Sequence, residues 1–261
     1  MLIHKLYLLA LCLGTVVLLA ACGGGSSAAG GDSGGGGGGE AATEIDPATA
    51  GSISGSVMFE GTAPELELIR MDAEPNCQAA YSEEPRAQNI IVNDNGTLAH
   101  VFVYVKSGLE GMSFPPPGEP VVLDQVNCRY EPHVLGVQTE QTLLIRNSDD
   151  VLHNIHPQPQ NSRPFNIGQP NQGMETERTF SAAEIMIPVG CDVHGWMSAY
   201  VGVVDHPYFA VTSSDGSFAL PNLPPGDYVV EAWHEEYGAQ EMNVTVGASE
   251  AVSADFTFKG G

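Results

Sequence analysis

Between residues 51 and 259 the apolar positions fall in short runs, alternating with polar ones or clustering as β-branched residues, and Gly, Pro, Asn and Asp interrupt them every few positions. Period-two patterning in runs this short predicts strands, and no long stretch keeps the spacing of an amphipathic helix. A first group of strands is predicted over 53–59, 90–92, 99–105, 121–123, 142–146, 184–189 and 199–204. A second group is predicted over 209–211, 218–220, 228–233, 242–246 and 251–258. Asn93-Asp94-Asn95-Gly96 and Asp215-Gly216 supply turn chemistry between them. Residues 111–120, with Pro115, Pro116 and Pro117 in a row, make a stiff extended loop rather than a strand interior. Many short strands joined by turns make the chain all-β, as sandwich or barrel.

The N-terminal part breaks this pattern. An unbroken apolar run over 6–21 follows Lys5 and stops at Cys22. It is short for a bilayer span and has the form of a secretory signal. Leu19-Ala20-Ala21-Cys22 resembles a lipoprotein signal-peptidase site, which implies removal of residues 1–21 and acylation of Cys22; an ordinary signal peptide cut nearby is the alternative. Residues 22–50 are mostly Gly, Ser and Ala with a few acids, too little apolar surface to offset chain entropy, and are expected to form a flexible tether. The expected location is therefore the cell envelope, on the periplasmic side of a bacterial membrane and held there by the lipid alone.

Charge narrows the partners. The net charge is −23 at pH 7, and loss of the first 21 residues removes only Lys5 among the charged ones. Nucleic acid is excluded as a natural partner. An acidic surface suits steering toward a basic redox protein, and equally suits simple solubility.

Five cysteines sort by position. Cys12 leaves with the signal and Cys22 is the lipid site, so an odd number remains in an oxidising compartment. Pairing Cys77 with Cys128 leaves Cys191 free, and closing that loop stabilises the fold by roughly 4 kcal/mol in the chain-entropy view.

The free thiol is the one with ligand-type neighbours. Cys191-Asp192-Val193-His194-Gly195-Trp196-Met197 lies between two predicted strands and offers thiolate, imidazole and thioether within one short loop. That soft set selects copper over oxygen-seeking cations, and a trigonal site needs a second imidazole from elsewhere. His153, in Asn147-Ser148-Asp149-Asp150-Val151-Leu152-His153-Asn154, is the candidate.

Here the sequence resembles the cupredoxin family, and its Cys-x-x-His-x-x-Met spacing is similar to that of amicyanin. The resemblance spans roughly residues 96–204. It implies a Greek-key β-sandwich holding one type 1 copper ion through His153, Cys191, His194 and Met197, with Met197 as the weak axial ligand and Asn154 tying the two ligand loops together. Two features depart from it. Gly195 stands where amicyanin-like members have proline, and the proline-rich loop before residue 121 is longer than the family pattern.

The second strand group, with its Asp-Gly and Pro-Pro-Gly turns, resembles the carboxypeptidase regulatory-like, transthyretin-like β-sandwich family. The expected organisation is a copper domain over 51–206 followed by this smaller sandwich over 207–261. Residues 53–61 also resemble the first strand of that second family, so an arrangement with the copper domain inserted within it stays open.

The other histidines have lesser expectations. His156 should point away from His153 on a strand. His133 lies near Cys128 and would make a second soft site if that cysteine were unpaired. His206 and His234 are expected as surface or interdomain groups, with residues 233–236 packing against the copper domain. The copper resemblance implies a single-electron carrier rather than an enzyme, serving a c-type cytochrome or a quinol- or cytochrome-oxidising complex. The alternative is a non-redox copper-, partner- or glycan-binding surface lipoprotein.

Overall fold

The structure is a computed structural model that describes residues 41–260. The expected signal segment 1–21, Cys22 and most of the expected tether lie outside the described residues. The end of that tether is docked rather than free. Thr43 and Ser113 exchange hydrogen bonds of 2.7 and 2.9 Å, and Ser249 donates from its backbone N–H to Thr49 O at 2.9 Å.

The described residues form seventeen strands and one five-residue helix, so the chain is all-β. In order these are β1 (Gly51–Glu60), α1 (Pro75–Ala79), β2 (Phe102–Ser107), β3 (Val121–Val126), β4 (Arg129–Glu131), β5 (Val134–Gln138), β6 (Leu143–Asn147), β7 (His153–Pro157) and β8 (Ile167–Gln169). There follow β9 (Glu175–Arg178), β10 (Glu184–Gly190), β11 (Ser198–Val204), β12 (Phe209–Val211), β13 (Ser217–Leu223), β14 (Gly226–His234), β15 (Gly238–Val246), β16 (Ala251–Ser253) and β17 (Phe256–Lys259).

They assemble into four sheets. One sandwich packs β13-β1-β16, with β17 also on β1, against β12-β2-β14-β15; the other packs β5-β11-β10-β7-β8 against β4-β3-β6-β9. The expected boundary at residue 206 does not hold. β1 pairs with β13, β16 and β17, and β2 with β12 and β14, so both early strands belong to the sandwich built mainly from the C-terminal strands. Strands β3 to β11 are inserted between them. Alternation along β1 settles which side chains point inward but says nothing about which strand will satisfy its edge.

Alternation explains each core. Leu143 and Ile145 of β6 point inward with Leu123 of β3, while Leu144 and Arg146 are half-exposed. β2 is buried at four successive positions, Phe102 to Tyr104 and Val105, because both of its faces are covered. Val103 and Val105 join the core of its own sandwich, and Phe102 and Tyr104 pack across onto Val134 and Val204 of the other. Gly136 and Gly202 make that contact possible. A Cβ at Gly202 would lie 2.5 Å from the Phe102 ring, and one at Gly136 2.4 Å from the Phe209 ring.

Candidate metal centre

The candidate ligand residues come from two places at one end of the inserted sandwich. His153 opens β7, and Cys191, His194 and Met197 lie in the loop between β10 and β11. β7 and β10 are hydrogen-bonded neighbours in one sheet, which brings the start of one beside the end of the other. All four residues are buried, none above 5% exposed.

Three of their donor atoms converge. His153 Nδ1 lies 2.9 Å from His194 Nδ1, and His194 Nδ1 lies 3.9 Å from Cys191 Sγ. One ligand atom from each residue falls within 4.8 Å of the others. Met197 is buried in the same core cluster as Cys191, and its N–H donates to His194 O at 2.9 Å, which closes the loop as a turn.

The rings are oriented by their other contacts. His153 Nε2 donates to Asp149 Oδ2 at 2.8 Å. With Nε2 so engaged, Nδ1 is the nitrogen left to face His194 and Cys191. Two imidazole nitrogens and a thiol sulfur brought to one buried point form a soft donor set that fits copper. Asp149 is itself anchored by the backbone N–H groups of Asn127 and Cys128, at 2.7 and 2.8 Å. His194 packs against Trp196, with ring centroids 5.0 Å apart and the planes tilted by 36°.

Asn154 bridges the His153 segment and the loop that holds Cys191. Its Oδ1 accepts the Asp192 N–H at 2.7 Å and lies 3.3 Å from Cys191 Sγ. Its Nδ2 donates to Asn166, which in turn donates to Asp192 at 2.6 Å. The Tyr130 hydroxyl sits beneath both ligand strands, within hydrogen-bond distance of Asn154 O at 2.5 Å and Gly190 O at 2.9 Å.

These contacts set the charge states. Burial pushes the Cys191 thiol up, but hydrogen bonding with His153 and with the loop N–H groups outweighs it and leaves the thiol below its ordinary range. Burial pushes His153 down, and Asp149 and Cys191 more than offset it, so His153 lies above its usual value. Burial, with the charge of His153, holds His194 below it.

The remaining sequence candidates are placed as follows. Cys77 and Cys128 are joined, with Cα atoms 5.5 Å apart, and Cys191 is the free cysteine among the described residues. The alternative soft site at His133 is not formed, because the Cys128 sulfur is committed to that bond. His133 instead donates from Nδ1 to Ser198 O at 3.1 Å and pairs through Nε2 with Glu235, so the 233–236 segment does reach the inserted sandwich. His156 points away from His153 to Asp192, at 3.0 Å. His206 and His234 are not surface groups. His206 is buried and donates to Val105 O, and His234 is buried with Nε2 lacking any partner. Sequence reasoning missed Asp149 and Trp196 as orienting groups. Each stood inside a motif already singled out, but an acid in a turn and a tryptophan in a loop carry no ligand signature of their own.

Residues 198–259 match the family model of the carboxypeptidase regulatory-like domain. Among curated proteins, a probable rhamnogalacturonate lyase A of Aspergillus flavus is 42% identical over 53 residues, covering 20% of this chain and 10% of the lyase. Among solved structures, a Cu-containing nitrite reductase from Thermus scotoductus is 21% identical with a TM-score of 0.31, covering 36% of this chain and 24% of its own. A Cu(I) amicyanin mutant is 20% identical with a TM-score of 0.29, covering 39% of this chain and 97% of its own. The chain thus spans about a tenth of the curated relative and about a quarter of the nitrite reductase chain.

Proposed function

We propose that this chain holds one type 1 copper ion through His153, Cys191, His194 and Met197 and works as a single-electron carrier, exported and held at a membrane by a lipid on Cys22. The observation that carries the reading is the pair of imidazole Nδ1 atoms 2.9 Å apart beside a buried thiol, with the His153 Nε2 proton already committed to Asp149. Bound copper would supply one-electron chemistry between Cu(I) and Cu(II). The protein supplies a donor set buried in a packed core, which keeps water and outside ligands away. Asn154, Asp149 and Tyr130 fix both ligand segments, so the donors need move little when the charge on the metal changes.

The apolar side chains Leu152 and Val193, each close to half exposed, adjoin His153 and His194 in sequence and give a partner somewhere to dock near the metal. The chain's strong acidity would steer a basic partner such as a c-type cytochrome. Stopped-flow mixing of the reduced, copper-loaded protein with a basic c-type cytochrome tests the carrier role. Fast electron transfer that slows as salt is added supports it. Slow transfer at every ionic strength, with slow self-exchange, overturns it in favour of copper storage or partner binding.

A further inference from the structure

Resting on that copper reading, we infer that the two-residue turn Asn127-Cys128, fixed by the disulfide to Cys77, is the element that positions both imidazole ligands. β3 and β4 pair up to Val126 and Arg129, so Asn127 and Cys128 alone make the turn. Both have φ of 54°, the left-handed conformation that a two-residue hairpin needs and that normally calls for glycine at the second position. A cysteine stands there instead, and each backbone N–H and C=O of the turn has a partner.

One arm reaches His153. The two N–H groups of the turn grip the two oxygens of Asp149, and Asp149 holds the Nε2 proton of His153. The other arm reaches His194. Cys128 O accepts the Trp196 indole N–H at 3.0 Å, and the Trp196 ring packs against the His194 ring at a tilt of 36°. The turn is held from outside as well. Tyr81 donates its hydroxyl to Asn127 O at 2.7 Å, and Cys77, fully buried in α1 within the segment between β1 and β2, bonds the Cys128 sulfur. That segment contributes no strand, so the disulfide is its main covalent hold on the metal end of the sandwich. A competent copper site therefore depends on the disulfide having formed first.

The test compares the wild type with Cys77→Ala/Cys128→Ala, Asp149→Asn and Trp196→Phe. Two readouts are used: the Cu(I) dissociation constant by competition with a chelator, and the imidazole ¹⁵N shifts of His153 in copper-free protein. Asn at 149 keeps one acceptor oxygen for three donors, and Phe at 196 keeps the ring but not the N–H. Loss of the disulfide should raise the dissociation constant roughly 10–100-fold, the usual effect of removing an outer partner of a metal ligand, and should mix the His153 tautomers. Asp149→Asn should reproduce the tautomer change, and Trp196→Phe should weaken copper with the His153 shifts unchanged. Folded disulfide-free protein with wild-type affinity and shifts would overturn the inference. If that variant does not fold, wild-type affinity in both Asp149→Asn and Trp196→Phe overturns it equally. A wild type that binds no copper fails the copper reading instead, and the ¹⁵N shifts still decide whether the turn sets the His153 tautomer.

Discussion

His234 gives the fold a pH limit whose size follows from its surroundings. Burial first, and then the charges of His100 and His133, push its pKa down to about 4. It is 1% exposed, its Nδ1 accepts the Glu236 N–H at 3.2 Å, and its Nε2 has no partner. In the unfolded chain it titrates near 6.5, so as pH falls through that value the unfolded state takes up a proton that the folded state refuses. The stability His234 contributes is complete above about pH 6.5 and is lost on the way down to about pH 4. The loss relative to neutral pH is about 2 kcal/mol at pH 5 and about 3 kcal/mol at pH 4. His234→Phe keeps an aromatic ring against Tyr237, now 4.9 Å away, and removes the titration. Urea unfolding of copper-free protein at pH 7.5, 5 and 4 measures the difference, with the histidines other than His100 and His133 cancelling between variant and wild type. The urea midpoint of the wild type should fall by roughly 0.7–1 M more than that of the variant between pH 7.5 and 5, for a slope of about 2–3 kcal/mol/M. Parallel curves for the two proteins would refute the reasoning.

Other outcomes follow from the same contacts. Gly202→Ala places a methyl group against the buried Phe102 ring between the two sandwiches and should cost about 1–3 kcal/mol in urea unfolding, whereas Gly168→Ala, with nothing within 4 Å of its Cβ, should cost under about 1 kcal/mol. Met197→Leu should keep copper and raise the reduction potential, since losing the thioether disfavours Cu(II) more than Cu(I), while His156→Ala should leave the potential nearly unchanged; equal shifts in the two variants would contradict the ligand assignment. Cys22→Ser should release the protein from membranes or block its processing, and unchanged fractionation with an unchanged mature N-terminus would contradict the anchor.

How much of this was legible in the chain depends on where the information resides. Strands with clear alternation, such as β1, β6, β10 and β11, lie within a few residues of their expected positions. β7 is absent from the predicted strand groups because His-Asn-Ile-His-Pro has a single β-branched residue, and its strand form comes from pairing with β10 and β8. Residues 90–92 and 99–101 read as strand from composition, but Val92 forms only an isolated bridge with Leu98 and residues 99–101 lie outside any strand, although Ile90, Val92 and Val101 still pack into the core. The expected strand at 251–258 is broken at Ala254-Asp255, where Asp255 turns to accept the Ser56 N–H at 2.8 Å. The soft donors were readable because thiolate, imidazole and thioether in one short loop are rare together. The groups that orient them were not, because Asp149, Trp196 and Cys128 acquire their roles only when β3, β4 and the ligand loop meet in space.

The central claim is that Cys191, His153 and His194 share one copper ion, and the visible spectrum tests it most directly. Residues 41–261 loaded with Cu(II) should bind one copper per chain and show an intense thiolate-to-copper absorption, because the Cys191 sulfur is buried beside both imidazole nitrogens. Cys191→Ser should abolish the band, and His153→Ala or His194→Ala should lose copper or admit outside ligands such as imidazole. An unchanged band and unchanged copper content in Cys191→Ser, with both lost in His133→Ala or His156→Ala, would place the metal elsewhere and contradict the account.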